Sequence, residues 1–230
     1  MAVALQLERD RAYLRLLDLI LGGEIDSEEP LSERKLADSL QMGRTPIREA
    51  LRDLARDGVL EVRPARGTFV RRLSLEDVQE IYEVRQALEG MAAYLAAERG
   101  MTPALAAFGP RLREMRDRPD AFELAEVYDY GAAFHLEVFK AARNGNLLQI
   151  YEPIRLRFRV ALGLPRFYDP ERVQVSVVEH LAIFEAIEAG DGQAAQQRIC
   201  DHLDKGLEAR TRIFDCLRDY RPPARGRNRA

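Results

Sequence analysis

Between residues 31 and 70 the apolar positions fall into two short helical patterns and then an alternating one. Leu36, Ala37 and Leu40 recur at helical spacing behind Ser32, whose hydroxyl is placed to accept the first orphan amides; a helix over about 32–40 is predicted. Gln41-Met42-Gly43 supplies a turn. A second helix then opens with Thr45 as N-cap and Pro46 at the first helical position, where a missing N–H costs nothing, and runs to about residue 57, where Gly58 stops it. Ile47, Ala50, Leu51 and Leu54 form its inward stripe, while Arg44, Arg48 and Arg52 rise along an outer face at intervals of four. Like charges at that spacing repel mildly in isolation and are better matched facing a polyanion. Segments 59–63 and 68–72 then read as two short strands around Pro64-Ala65-Arg66-Gly67.

Outside that stretch the period is helical throughout. Residues 3–21 carry an apolar stripe of Leu5, Tyr13, Leu16, Leu17 and Ile20, ended by Gly22-Gly23 and followed by a polar loop over 24–30. Residues 75–99 are periodic through Val78, Ile81, Tyr82, Val84, Leu88, Met91 and Leu95, with Ser74 and Asp77 spaced as a capping box. Gly, Pro and Asn-Gly signals bound further helices at about 103–116, 120–142, 146–162, 171–189 and 191–219. The expected fold is mainly α. An N-terminal winged helix-turn-helix with a small hairpin spans residues 1–72, an all-helical domain 73–220, and a basic, disordered tail 221–230.

Charge sharpens this division. The chain of 230 residues is 47% hydrophobic and carries a net charge of −3. Residues 34–72 hold ten Lys or Arg against five Asp or Glu, a local excess of +5 that leaves the remainder at −8. Such a split argues against a generally cationic architectural DNA binder and for a localised nucleic-acid footprint. The first 21 residues are broken by Glu8, Arg9, Asp10, Arg11, Arg15 and Asp18, and no apolar run is long enough to span a bilayer, so a cytoplasmic protein without membrane contact is expected. Cys200 and Cys216 lie sixteen apart in one predicted helix, about 24 Å, too far to bridge, and are expected to be reduced.

The forty residues LSERKLADSLQMGRTPIREALRDLARDGVLEVRPARGTFV closely resemble the winged helix-turn-helix of GntR-type bacterial transcriptional regulators. The "SER..LA" opening, the "RTP.REAL" recognition helix and the "RG.FV" wing are specific in combination. The resemblance implies that Arg34, Arg44 and Arg48 contact DNA, that Thr45 meets a phosphate, and that Arg66 and Gly67 bring the wing tip to the minor groove. Gly43 stands where the family often has Ser or Thr. More loosely, residues 75–215 resemble the FCD effector-binding domain of the FadR branch, and six predicted helices resemble its VanR-type variant. Homodimerisation, a palindromic operator and a repressor's role follow from the resemblance as expectations.

The chain has three histidines, His135, His180 and His202, each in a different predicted helix. His135 shares a face with Ala132, Val138 and Phe139, and His180 with Val177, Ile183 and Phe184, so both should point inward; Lys205 and Gly206 place His202 nearer an edge or cavity. From the residues alone, buried packing is the ordinary reading of such histidines. The resemblance implies a divalent metal site, because many FCD domains hold one with three His and one Asp, and all three His positions match. The Asp position, four residues before His135, is occupied by Gly131. Asp129 precedes His135 by six residues, about 600° of helical rotation, and faces elsewhere. A site completed by water and effector, one completed by another carboxylate, and no metal all remain open. Three imidazoles favour zinc or nickel over calcium or magnesium.

A metal face beside an Arg suits a small carboxylate effector. Arg85 is the first candidate, with Asn144 and Arg155 behind it; the structural alternatives are an Arg85–Glu89 salt bridge, a turn-forming Asn144-Gly145, and a solvated Arg155. The competing function is a metal-dependent hydrolase built on the His cluster. Against it, the chain shows no HExxH, no Gly-x-Ser-x-Gly elbow and no phosphate loop.

Overall fold

A computed structural model describes residues 2–25, 28–162 and 169–219; the tail expected over 221–230 lies outside the described residues. Helix α1 (Ala2–Leu21) leads into α2 (Glu33–Leu40) and α3 (Arg44–Arg56), and strands β1 (Leu60–Arg63) and β2 (Gly67–Val70) pair antiparallel. Ser32 caps α2 by accepting from the Lys35 amide, and Gln41 leaves the helix with φ of 52°. The start of α3 differs from the expectation. Gly43 is the N-cap and offers no side-chain oxygen, so α3 begins at Arg44 and Thr45 lies within its first turn. The Gly43 backbone is already extended, which lets the helix begin one residue after the turn. Pro46 is tolerated there because the first-turn amides have no intrahelical acceptor.

Ala12, Leu16 and Ile20 of α1 pack on Ile47, Ala50, Leu51 and Leu54 of α3, beneath the hairpin residues Leu60 and Val70. Tyr13 Oη donates to Asp57 at 2.7 Å, tying α1 to the end of α3. The same core takes in Val160, with Leu156 packed against it, and both come from a much later helix. The hairpin is shorter at its outer ends than expected, by one residue in β1 and two in β2: Arg63 faces Gly67, and Ala65, with φ of 58°, carries the turn.

The remaining helices are α4 (Leu75–Arg99), α5 (Pro103–Ala106), α6 (Phe108–Asp117), α7 (Leu124–Ala141), α8 (Gly145–Leu162), α9 (Pro170–Glu188) and α10 (Gly192–Asp219). Ser74 and Asp77 form the expected capping box on α4. The single helix expected over 103–116 is broken at Ala107, and the one expected over 120–142 starts at Leu124 after a 3-10 turn over Pro119–Ala121. Pro119 starts that turn, since it fixes its own φ and has no amide to donate. Counting the four-residue α5 makes seven α-helices after the wing among the described residues, and six without it.

The long α4 and α10 run side by side, and the bundle core gathers Phe134 and Phe139 of α7, Tyr151 of α8 and Phe184 of α9 with Leu112 and Met115 of α6. Phe139 and Tyr151 stack at a centroid distance of 3.8 Å. Cys200 is a half-buried free thiol on the continuous α10, which also contains Cys216. No helix among the described residues is long and apolar enough to cross a membrane.

Candidate functional site

Two surfaces carry the chemistry. On the first, Arg44, Thr45 and Arg48 are exposed on α3, with Arg34 exposed on α2 and Arg66 and Gly67 at the tip of the hairpin. Packing of the Ile47–Leu54 stripe against α1 turns the arginine face outward. Arg48 does not stand alone: its Nε and Nη2 contact the Glu33 carboxylate at 3.0–3.1 Å, and this hydrogen bond holds the Glu33 carboxyl below its ordinary range. Arg34 lies 3.8 Å from Asp38. Gly67 has φ of +113°, and a Cβ on it would meet Pro30 at 3.1 Å, so the loop into α2 closes on the wing only because the side chain is absent. Leu31 N completes that closure by donating to Thr68 O at 2.7 Å.

The second surface lies inside the helical bundle. His135 from α7, His180 from α9 and His202 from α10 are all buried, and their rings converge. The Nε2 of His135 stands 3.1 Å from that of His180 and 3.2 Å from that of His202. Behind the cluster, His135 Nδ1 lies 2.6 Å from Glu89 Oε2 of α4, and His202 Nδ1 lies 2.7 Å from Glu179 Oε2 of α9. The first of these contacts has ion-pair distance without hydrogen-bond alignment. Burial pushes the His180 and His202 imidazoles well below their ordinary range, so both are neutral and keep a lone pair to offer.

This donor set fits a transition metal. Ligand nitrogens about 2.0–2.1 Å from one ion stand roughly 2.9–3.4 Å apart at angles between square and tetrahedral, which brackets the observed separations. Carboxylates on the far nitrogens are the usual means of fixing the tautomer and aiming Nε2. Among the described residues the groups able to reach one ion together are these three histidines. Gly131 makes room for one of them: a Cβ there would lie 2.6 Å from His180 Cε1, so the His180 ring occupies the space beside the bare backbone. Asp129 lies 66% exposed and 4.0 Å from Arg159, away from the cluster, as its helical phase predicted.

The histidines form one wall of a cavity of about 110 Å³. Arg85, Arg155, Arg159, Arg172 and Arg210 line it together with Tyr82, Tyr128 and Tyr151, against a single lining carboxylate, Asp169. Asp169 is engaged in capping α9, accepting from the amides of Glu171 and Arg172. Of the residues the sequence singled out for an effector, Arg85 and Arg155 reach the cavity, and both are paired: Arg85 with buried Glu89 at 2.6 Å, Arg155 with Glu152 at 2.8 Å. Burial alone would raise the Glu89 carboxyl, but Arg85 and His135 outweigh it and hold it at about 2. Asn144 is not among the lining residues; its Oδ1 accepts from the Leu147 amide and starts α8, the turn-forming alternative. Sequence reasoning missed Glu179 and Arg172. Their signal was thin: Glu179 precedes His180, so it faces another direction on α9, and its contact with His202 crosses to α10.

Comparison with known proteins assigns a family to each half of the chain. The pattern described as "Bacterial regulatory proteins, gntR family" matches residues 8–70, and that of the FCD domain matches residues 80–205. The chain is 32% identical over 197 residues to a probable D-xylose utilization operon transcriptional repressor of Paenarthrobacter nicotinovorans, covering 83% of each. It is 30% identical to the regulator LutR of Bacillus subtilis (strain 168), covering 88% of this chain and 97% of that one. In fold it resembles E. coli McbR/YncC, with a TM-score of 0.73 at 20% identity over 90% of this chain and 98% of that one. It also resembles the FCD domain of TM0439, solved metal-free, with a TM-score of 0.51 at 23% identity over 65% and 100%. The hydrolase alternative finds no support among these relatives, which are transcription regulators. The chain belongs to the GntR family of bacterial transcription regulators, in its FCD-bearing, FadR-like branch, and is a DNA-binding regulator rather than an enzyme.

Proposed function

We propose that this regulator is a cytoplasmic repressor that binds a palindromic operator as a homodimer and responds to a small organic acid held in the bundle cavity. The winged helix of residues 1–72 reads DNA, and the helical domain of residues 73–220 binds effector and partner subunit. The observation that carries this reading is the convergence of three histidine Nε2 atoms on the wall of a cavity lined by five arginines. That combination recognises an anion of modest size. His135, His180 and His202 would hold zinc or nickel, which when bound supplies a Lewis-acidic position for a carboxylate oxygen. The chain's own residues do the rest: Glu89 and Glu179 orient the imidazoles, Gly131 leaves the space that the His180 ring fills, and the arginines set the cavity's charge. On α3, Arg44 and Arg48 read base edges, Arg34 and Thr45 meet the backbone, and Arg66 and Gly67 enter the minor groove.

The test is operator binding by fluorescence anisotropy, with protein purified without a His tag and assayed for metal by elemental analysis. Arg44→Ala and Arg48→Ala should each cost about 1–3 kcal/mol on the operator and much less on random DNA. Equal weakening on both contradicts base reading. His180→Ala should keep operator binding while abolishing the response to acids, and a metal-free wild type that responds fully to acid would remove the metal from this reading.

A further inference from the structure

Arg172, in the first turn of α9, is held at one nitrogen and unsatisfied at the other two. Its Nη2 donates to the His202 carbonyl at 3.0 Å and pairs with Glu179 at 2.7 Å. Its Nε and Nη1 are shielded from solvent and have no hydrogen-bond partner among the described residues, although the side chain lines the cavity. Buried guanidinium N–H groups left unpaired are costly and uncommon. The charge balance points the same way. The single carboxylate of Glu179 is shared by Arg172 and by the exposed Lys205, the latter at 3.2 Å, so it does not belong to Arg172 alone.

Arg85 and Arg155 are more fully committed. Arg85 is bound by Glu89 and lies over the Phe158 and Tyr82 rings, with its Cζ 4.2 and 5.0 Å from their centroids. Arg155 gives both Nε and Nη2 to Glu152. Among the described residues, Arg172 is the cavity-lining arginine whose buried donors have no hydrogen-bond partner.

We propose that Arg172 is the residue that grips the effector, one of its two unpaired N–H groups, which point in different directions across the guanidinium, donating to a carboxylate of the ligand beside the histidine wall. Arg85, the obvious candidate by sequence, instead holds Glu89 in place behind His135. The proposal rests on the acid-responsive reading above and assigns the acid's anchor within it. A cavity of about 110 Å³ limits the ligand, since one water needs about 10–15 Å³ on the same measure, to something on the order of ten non-hydrogen atoms.

The experiment measures binding of acetate, lactate, succinate, malate and citrate to the full chain by calorimetry, and pairs each acid that binds with its neutral amide. Wild type should prefer the acid to its amide by about ten- to hundredfold, the range for charge-assisted hydrogen bonds. Arg172→Gln should erase that preference. Arg172→Lys, which keeps the charge facing Glu179 and so guards against misfolding, should retain only part of it, because a flexible ammonium cannot hold Glu179 and also aim a fixed N–H at the ligand as the planar guanidinium does. If Arg172→Lys and Arg172→Gln both keep the wild-type ratio, Arg172 is not the anchor, and the acid-responsive reading survives with another arginine in that role. If wild type binds none of the acids, the acid-responsive reading fails and this proposal with it.

Discussion

Glu89 is fully buried, and a carboxylate in that position is tolerated only because Arg85 and His135 face it from two sides. Removing either partner strands a charge in the core, so the pair is a structural debt as much as a sensing device. The titration of these residues has a defined sign. His180 and His202 have imidazoles held well below their ordinary range by burial, so the unfolded chain takes up protons that the folded chain refuses as the pH drops below about 6.5. Their contribution to stability is complete above that pH and is lost progressively below it. Glu89, held at about 2, adds a further loss below its unfolded value of about 4.3. Urea midpoints should therefore be flat from pH 8 to 7 and fall through pH 6 and 5; a midpoint that rises on acidification would contradict the buried, neutral histidines. At this scale much was legible in advance. The histidine phases on α7 and α9, and the Arg85–Glu89 spacing of four, are local patterns that a sequence shows directly. Arg172 and Glu179 were not legible, because their partners sit on α10 and come close only when the bundle closes.

The elements show which local rules are negotiable. The start of α3 follows backbone geometry rather than the best side-chain cap: Gly43 is extended and serves, so Thr45 stays exposed in the first turn. A capping threonine would have spent its hydroxyl on an amide of its own helix. The wing is the opposite case, where one position is non-negotiable. Gly67 combines φ of +113° with the close approach of Pro30, and Gly67→Ala should destabilise the chain by at least about 1 kcal/mol while weakening DNA binding beyond that loss. Denaturation curves read beside operator affinity check this; an unchanged midpoint would show that the wing tip relaxes freely. The broken helix at Ala107 and the late start of α7 escaped prediction because the apolar period continues across both interruptions, and only Pro119 hints that the chain turns there.

Across the whole molecule, α8 belongs to both halves. Arg155, Phe158 and Arg159 line the bundle cavity, while Leu156 packs on the winged-helix core and Val160 is buried within it. Arg157 lies over Gly58, where a Cβ would meet its Cδ at 2.7 Å. Six consecutive residues, less than two turns, thus divide equally between the cavity and the N-terminal unit. Val160→Ala should cost about 1–2 kcal/mol, seen as a lower urea midpoint for the N-terminal half as well as the bundle. A loss confined to the bundle would separate the two units. The division expected at residue 72 rests on a change of pattern, yet the N-terminal apolar core takes in Val160, because packing between residues so far apart leaves no mark on either local period.

That shared helix bears on how freely such regulators exchange parts. A chimera joined after residue 72 would deliver the DNA-reading unit with an open apolar socket where Leu156 and Val160 belong, and an incoming domain would have to bring matching knobs on its own helix. In this chain, exchange of the N-terminal unit is therefore tied to a patch of packing on α8, and grafts that copy α8 with the winged helix should succeed where cuts at the linker fail.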